Sequence, residues 1–156
     1  MRWSLRAVVG SLQLPVAGLG LTIVAFTWWG AYTLPPAPPG SDGFAHGLAG
    51  FFLLLFGLVG FVLLVVGLLI PPGPGYGIDF TRRQRWLFAY ALVAPLVGVA
   101  AFFAAVFAPS NPLGIEDYSF AVLSLGVGSA PLAVLVSIGW KAVHVAVERY
   151  GTRTSQ

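Results

Sequence analysis

Four long stretches of the chain contain no Asp, Glu, Lys or Arg: residues 7–41, 43–78, 86–115 and 118–140. Each is longer than the roughly 20 apolar residues with which an α-helix crosses about 30 Å of hydrocarbon. A backbone in lipid must satisfy its own hydrogen bonds, and no stretch alternates apolar with polar positions, so the pattern predicts helices rather than strands. Trimmed at proline-rich breaks, the predicted helices span about 8–31, 45–70, 86–108 and 118–141.

The segments between these helices are short and rich in proline, at residues 34–40, 71–75 and 109–112. Proline ends a helix because it lacks the amide hydrogen and its ring collides with the preceding turn. None of the segments is long enough to hold a folded domain outside the membrane. The expected fold is therefore all-α, an integral membrane four-helix bundle in which residues 1–156 form a single polytopic transmembrane domain.

The distribution of charge predicts how the helices are oriented. With four spans, every basic residue lies on the same side, at the N-terminus, in the middle loop or at the C-terminal end, and the remaining two loops carry only acidic residues. The positive-inside rule then places both termini in the cytoplasm. The basic residues are Arg2, Arg6, Arg82, Arg83, Arg85, Lys141, Arg149 and Arg153, and the acidic residues of the other loops are Asp42, Glu116 and Asp117.

The composition narrows the class of protein. Hydrophobic residues make up 58% of the chain and charged residues 8%, against about 25% charged in an ordinary soluble domain. This excludes both a water-soluble monomer and a disordered chain. Topology accounts for the net charge of +3, so no nucleic-acid partner is expected. A single Lys among many Ala, Gly, Val, Pro and Arg is typical of a GC-rich prokaryotic genome, which suggests a prokaryotic plasma membrane as the location.

The second predicted helix carries a series of glycines at offsets that favour one face. Small residues let helix backbones approach closely in lipid, where van der Waals packing replaces the hydrophobic effect. We expect this face to pack within the bundle or to form a seam between subunits of an oligomer. The glycines are Gly43, Gly47, Gly50, Gly57, Gly60 and Gly67.

The chain has no cysteine and only two histidines, His46 and His144. Thiolate sites and multi-histidine metal sites within one chain are thereby excluded. An inward-facing imidazole is able to ligate haem or copper, or to form a hydrogen bond between helices. The histidines are expected at opposite membrane surfaces, so they cannot share one haem within a chain. No cofactor and no metal are expected, and haem is the alternative.

The fourth predicted helix contains two polar features. Gly126, Gly128 and Ser129 precede Pro131, which removes a backbone hydrogen bond, so this segment is a candidate broken-helix site for a solute or ion. The alternative is a proline kink with small residues packed against a neighbour. Further along, a polar stripe at steps of four, three and four predicts either a proton relay or a site for an anionic headgroup. Its members are Ser137, Lys141, His144 and Glu148. The alternative for this stripe is a helix leaving the membrane with its polar side toward water.

The middle loop concentrates positive charge beside the membrane. Arg82, Arg83 and Arg85 are expected to attract anionic lipid headgroups, each by about 1 kcal/mol. Docking of an acidic partner is the alternative.

No acidic or basic residue lies in the core of any predicted span, which argues against an ion-coupled pump. No hydrolase, metalloprotease or nucleotide-binding motif is present, so an enzyme is not expected. The first hypothesis is a non-catalytic accessory or structural subunit that packs against copies of itself or in a larger membrane complex. The alternatives are a small channel or carrier for a neutral or lipid-like solute and, more weakly, a haem-binding electron-transfer subunit.

Overall fold

The computed structural model describes residues 5–107 and 115–151. The described part contains helices and one isolated antiparallel bridge, between Gly73 and Tyr76. It forms two compact units, Met1–Asp79 and Phe80–Gln156, each consisting of two long helices joined as a hairpin. The helices are α1 (Leu5–Ser11), α2 (Gln13–Thr33), α3 (Phe44–Leu69), α4 (Arg82–Val106) and α5 (Ile115–Gly151).

The structure confirms the helical fold class and the four spans of membrane-crossing length. Within these spans, no more than 28% of the most apolar window is buried inside the structure. Most of the apolar side chains therefore face outward, as expected of helices that contact lipid or other membrane polypeptides. The orientation of the termini stays a prediction. The spans are Ala7–Thr33, Phe44–Leu69, Arg82–Ala104 and Ala121–Val147.

The first predicted helix is divided at Leu12 into α1 and α2. Pro15 explains the division because it has no amide hydrogen to donate to the carbonyl of Ser11, and its ring crowds that carbonyl. The hydroxyl of Ser11 instead donates to the carbonyl of Val8 at 2.8 Å. The amide of Leu12 donates to the carbonyl of Val9, which gives the tighter turn seen at the break.

The second hairpin departs from the predicted boundaries at two ends. α4 begins at Arg82 rather than at residue 86, because Thr81 and Gln84 form a capping box that fixes the helix start. α5 has 37 residues. At 1.5 Å per residue it is about 55 Å long, whereas the hydrocarbon core of a bilayer is about 30 Å thick. If α5 runs along the membrane normal, part of the helix therefore lies outside the hydrocarbon core.

In the first hairpin, α2 and α3 approach each other at backbone level. A Cβ added at Gly20 would overlap the backbone of Leu64, and one added at Gly67 would overlap the backbone of Ala17. A Cβ at Gly60 would approach the Cγ2 atom of Ile23 to 2.7 Å. These contacts hold the two helices closer together than larger side chains would allow.

In the second hairpin, α4 and α5 are similarly close. A Cβ added at Gly126 would lie 2.5 Å from the carbonyl oxygen of Ala94, and one at Gly98 would lie 3.1 Å from the Cα of Leu123. The ring of Phe88 is fully buried. It meets the ring of Phe80 edge-on, with centroids 4.9 Å apart, an arrangement that aromatic pairs favour.

The first helices of the two hairpins share one burial pattern. In each of α2 and α4, a buried glutamine is followed by residues 4, 7, 11 and 14 positions later that face the partner helix. All of these residues are buried except Val24, which is half-buried. Alternating steps of four and three define the narrow seam of a left-handed helix pair. The seams are Gln13, Ala17, Gly20, Val24 and Thr27 in α2, and Gln84, Phe88, Ala91, Pro95 and Gly98 in α4.

Candidate functional site

Gln13 closes the first hairpin at the start of α2. Its side chain is 1% exposed. Nε2 donates to the carbonyl of Ile78 at 2.9 Å, and Oε1 accepts from the amide of Ile78 at 2.7 Å. The segment after α3 is thereby tied to α2, and both polar ends of the buried amide are satisfied.

Gln84 has the corresponding position at the start of α4. Its side-chain Oε1 accepts from the backbone amide of Thr81 at 2.8 Å, and its backbone amide donates to Oγ1 of Thr81 at 3.4 Å. Its Nε2 donates across the hairpin to the carbonyl of Ser137 at 3.0 Å. One buried side chain therefore defines the start of α4 and fastens it to α5.

A groove of about 900 Å³ opens beside Gln84 on the second hairpin. Its walls are mostly apolar, and arginine side chains stand at one end. We call it the α4–α5 groove. Its lining residues are Thr81, Arg82, Arg83, Gln84, Trp86, Leu87, Tyr90, Ser137 and Trp140.

The hydroxyl of Ser137 is a distinctive polar group of this groove. Ser137 is 0% exposed, and its Oγ has no hydrogen-bond partner among the described residues. A serine in a helix commonly donates to the carbonyl four residues earlier, and this bond is not made. An unpaired buried hydroxyl costs about 1–3 kcal/mol, so Ser137 is an unsatisfied polar group that lies beneath the surface of the groove.

The two arginines at the end of the groove are exposed, and neither forms an ion pair with a described residue. Arg82 and Arg83 occupy the first positions of α4, where the helix dipole and free amides favour an anion. Arg85 is half-buried and does not line the groove. The structure thus distinguishes Arg82 and Arg83 from Arg85, which the sequence alone treats as equivalent.

Trp86 and Tyr90 continue the groove along α4 past the arginines, whereas Trp140 follows Ser137 on the antiparallel α5 and lies level with the start of α4. Trp86 and Trp140 are 66% and 64% exposed. The hydroxyl of Tyr90 lies 2.8 Å from Oγ of Ser129, so this contact joins α4 to α5 at the deeper end. Exposed Trp and Tyr with one polar atom each are typical of the membrane–water boundary.

The six glycines predicted to share one face have different surroundings, and one of them, Gly43, precedes α3. Gly57 approaches Thr27, while Gly60 and Gly67 pack on α2. A Cβ at Gly43, Gly47 or Gly50 would meet nothing within 4 Å. At 3.6 residues per turn, Gly47 lies about 140° around the helix from Gly60, which is why α2 cannot reach both. Gly43 has φ +70 and ends the preceding loop, a conformation that glycine adopts readily.

The histidines and the polar stripe occupy separate places. His46 is half-buried near the start of α3, and His144 is exposed on α5. Along the stripe, Ser137 is buried and Lys141 half-buried, while Glu148 lies outside the residues whose side chains the structure describes. Ligation of a cofactor by either histidine and the relay along the stripe stay predictions. Within the described ranges, no three His, Cys, Asp or Glu residues are grouped to hold a metal ion.

The candidate broken-helix site lies within continuous helix. α5 runs without interruption through Pro131, which is exposed. Gly126 packs against the backbone of Ala94, whereas a Cβ at Gly128 would meet nothing within 4 Å. Ser129 is engaged by Tyr90. Gly126 and Ser129 thus contact α4, and a binding role for this segment stays a prediction.

Sequence reasoning singled out neither glutamine as a site. Thr81 followed three residues later by Gln84 has the spacing of a capping box, and this signal would have placed the start of α4 at Arg82 rather than at residue 86. Gln13 carries no such local signal, because its partner Ile78 is 65 residues away.

Comparison with protein-family models finds no match, and comparisons with the curated proteins and with solved structures find none either. The geometry of the two hairpins therefore has to carry the functional argument.

Proposed function

We propose that this chain is a non-catalytic subunit of a membrane assembly and that a helix of another polypeptide or of a second copy packs on α3 at Gly47 and Gly50. The observation that carries the proposal is that nothing in the first hairpin covers these two glycines. They lie about one turn apart near the start of the long apolar helix α3, and a Cβ at either meets nothing within 4 Å.

Glycine in a helix costs about 1 kcal/mol relative to alanine. In a membrane helix the cost is offset when a second backbone approaches closely. Gly60 and Gly67 of the same helix have such a neighbour in α2. Gly47 and Gly50 lack such a neighbour within the hairpin. Close approach of a helix from outside the hairpin would offset the cost of these two glycines.

The polar side chains of the spans support a structural role over a hydrophilic pore. The hydroxyl of Thr27 donates to carbonyls of its own helix, as does that of Thr22. The side chain of Gln13 is fully bonded to Ile78, and Ser129 is paired with Tyr90. These groups stabilise the hairpins and do not form a continuous polar path, as a channel or carrier for a polar solute would require.

The chain contains no cysteine, so a single introduced cysteine is the sole thiol of its variant and reports contacts at that position. Gly47→Cys and Gly50→Cys are compared with Gly18→Cys and Gly128→Cys, which are isolated glycines with equally open space on α2 and α5. Each cysteine is labelled with a benzophenone maleimide, which on irradiation inserts into C–H bonds and needs no thiol on the partner. After irradiation in native membranes, we expect cross-linked products from the first pair only. The mass of the product separates a second copy from a different polypeptide.

Equal yields at all four positions would show random collision and would overturn the proposal, as would the absence of any product. Native mass spectra of the unaltered chain in mild detergent provide an independent check. A specific assembly is expected, and a chain that remains monomeric in membranes as well as in detergent would contradict a subunit role.

A further inference from the structure

We propose that the α4–α5 groove binds one anionic phospholipid, with its phosphate at Arg82 and Arg83 and an acyl chain along the aromatic wall. This inference is independent of the proposed function, because every lining residue belongs to the second hairpin and no partner polypeptide is needed. The groove has charge at one end, an apolar wall along α4 and an unsatisfied buried hydroxyl beside it.

The charged end suits a phosphate. Arg82 and Arg83 are exposed and without an ion-pair partner among the described residues. The cap at Thr81 engages the amide of Gln84, and amides of the first turn have no acceptor within the helix itself. Two guanidinium groups beside such amides favour a phosphate diester over a neutral headgroup.

The rest of the groove suits an acyl chain. Trp86, Leu87 and Tyr90 line it, and the volume of about 900 Å³ lies within the range of about 300–1,000 Å³ found for small-molecule sites. From Arg82 to Tyr90 the helix rises about 12 Å. This distance would carry a bound molecule from headgroup depth well into one leaflet, whose hydrocarbon is about 15 Å thick. A free anion would leave this wall uncovered.

Ser137 connects the two ends. Ser137 is one of the lining residues, but its Oγ is buried beneath the groove surface and has no hydrogen-bond partner among the described residues, so a ligand reaches it only when a neighbouring side chain moves. The adjoining carbonyl of Ser137 is already engaged by Gln84, so the hydroxyl is held in place with its own capacity unused. An ester carbonyl oxygen, which lies between phosphate and acyl chain in a phospholipid, would accept a hydrogen bond from it.

The experiment uses the full chain with Trp3, Trp28 and Trp29 replaced by Phe, so that Trp86 and Trp140 are the remaining tryptophans. It is reconstituted in phosphatidylcholine vesicles containing increasing fractions of phosphatidylglycerol with brominated acyl chains. Brominated phosphatidylcholine serves as the zwitterionic reference. The quenching midpoints give the relative affinity for the anionic lipid. We expect a preference of about fivefold or more for phosphatidylglycerol, the factor that one arginine near a membrane provides.

Three single-charge variants separate a site from a charged surface. Arg82→Gln and Arg83→Gln are expected to lower the preference several-fold each, whereas Arg85→Gln, which removes the same charge outside the groove, is expected to retain it. Ser137→Ala keeps every charge and is expected to lower the affinity for both brominated lipids. Helix content by circular dichroism verifies that each variant is folded.

The other outcomes overturn the proposal. Equal losses for all three arginines would leave only diffuse attraction to an anionic surface. Loss of the preference on adding millimolar inorganic phosphate would show that a free anion is the ligand. An unchanged quenching profile in Ser137→Ala would remove the hydroxyl from the site. Preference without quenching of Trp86 and Trp140 would place the lipid elsewhere on the protein.

Discussion

Gln13 and Ile78 are joined by a pair of hydrogen bonds in which one side-chain amide meets both backbone groups of one residue, at 2.9 Å and 2.7 Å. The side-chain amide of Gln13 thus pairs with the backbone of Ile78 in the way that a neighbouring β-strand would, although Gln13 itself belongs to a helix. This pairing closes the first hairpin at the end opposite its interhelical loop. Gln13 is buried, whereas Ile78 is 39% exposed.

Replacement of Gln13 by Leu should therefore destabilise the first hairpin. It would remove both hydrogen bonds to the backbone of Ile78, and a hydrogen bond contributes about 0.5–1.5 kcal/mol to stability. Unfolding in mixed micelles with increasing denaturing detergent measures the loss. Leu14→Ala, at an adjacent exposed position, is the control. Equal stability of Gln13→Leu and the parent chain would show that the pairing adds nothing.

Two glycines on α2 should respond in opposite directions to alanine. Gly18→Ala places a methyl group in open space and is expected to stabilise the helix by up to about 1 kcal/mol. Gly20→Ala would force a methyl group into the backbone of Leu64, and overpacking costs about 1–3 kcal/mol. The same detergent titration compares them. If both variants are equally stable, α2 and α3 are not in backbone contact at this level.

Thr81→Ala should shorten α4 at its start. The variant removes the side-chain cap of the amide of Gln84, and loss of such a cap costs about 0.5–2 kcal/mol. Hydrogen exchange at the first-turn amides of α4 is expected to rise, with little change in α2. Thr22→Ala is the matched control, because the hydroxyl of Thr22 donates only to its own helix, at the carbonyl of Gly18. Equal exchange in the two variants would contradict a capping role.

Pro131→Ala should be tolerated and should stabilise α5. The helix already runs through this residue, so alanine restores an amide that is able to donate to the carbonyl of Val127 and removes the collision of the ring. A rise in stability of about 0.5–1.5 kcal/mol is expected from one added hydrogen bond. Slower hydrogen exchange around the substituted position checks it. A loss of stability would mean that the proline ring has a packing role that its exposure does not reveal.

The sequence was sufficient for features that depend on neighbours along the chain. Stretches without charge predicted the four spans, and Pro15 and the spacing of Thr81 and Gln84 hold enough information for the helix break and the helix start. Features that depend on distant residues were not accessible. The offsets between glycines suggested one seam, but only the position of α2 determines that Gly60 is covered and Gly47 is not.

The α4–α5 groove illustrates the same limit. Both Arg82 and Ser137 were candidates for a headgroup site on separate grounds, one as part of a basic loop and the other as part of a polar stripe. The bond from Gln84 to the carbonyl of Ser137, across 53 residues, brings these two candidates to one groove. No local pattern states which turn of α5 faces which turn of α4, so the groove is a property of the paired helices.

The pairing of Gln13 with Ile78 also has a consequence for the order of events during synthesis. Gln13 leaves the ribosome 65 residues before the residue that satisfies it, and an unpaired amide in hydrocarbon costs several kcal/mol. Until α3 has been made, α2 would retain its glutamine near water or near the insertion machinery. α2 and α3 would then enter the lipid together, as a hairpin. The start of α2 would be the last part of the hairpin to reach its final position.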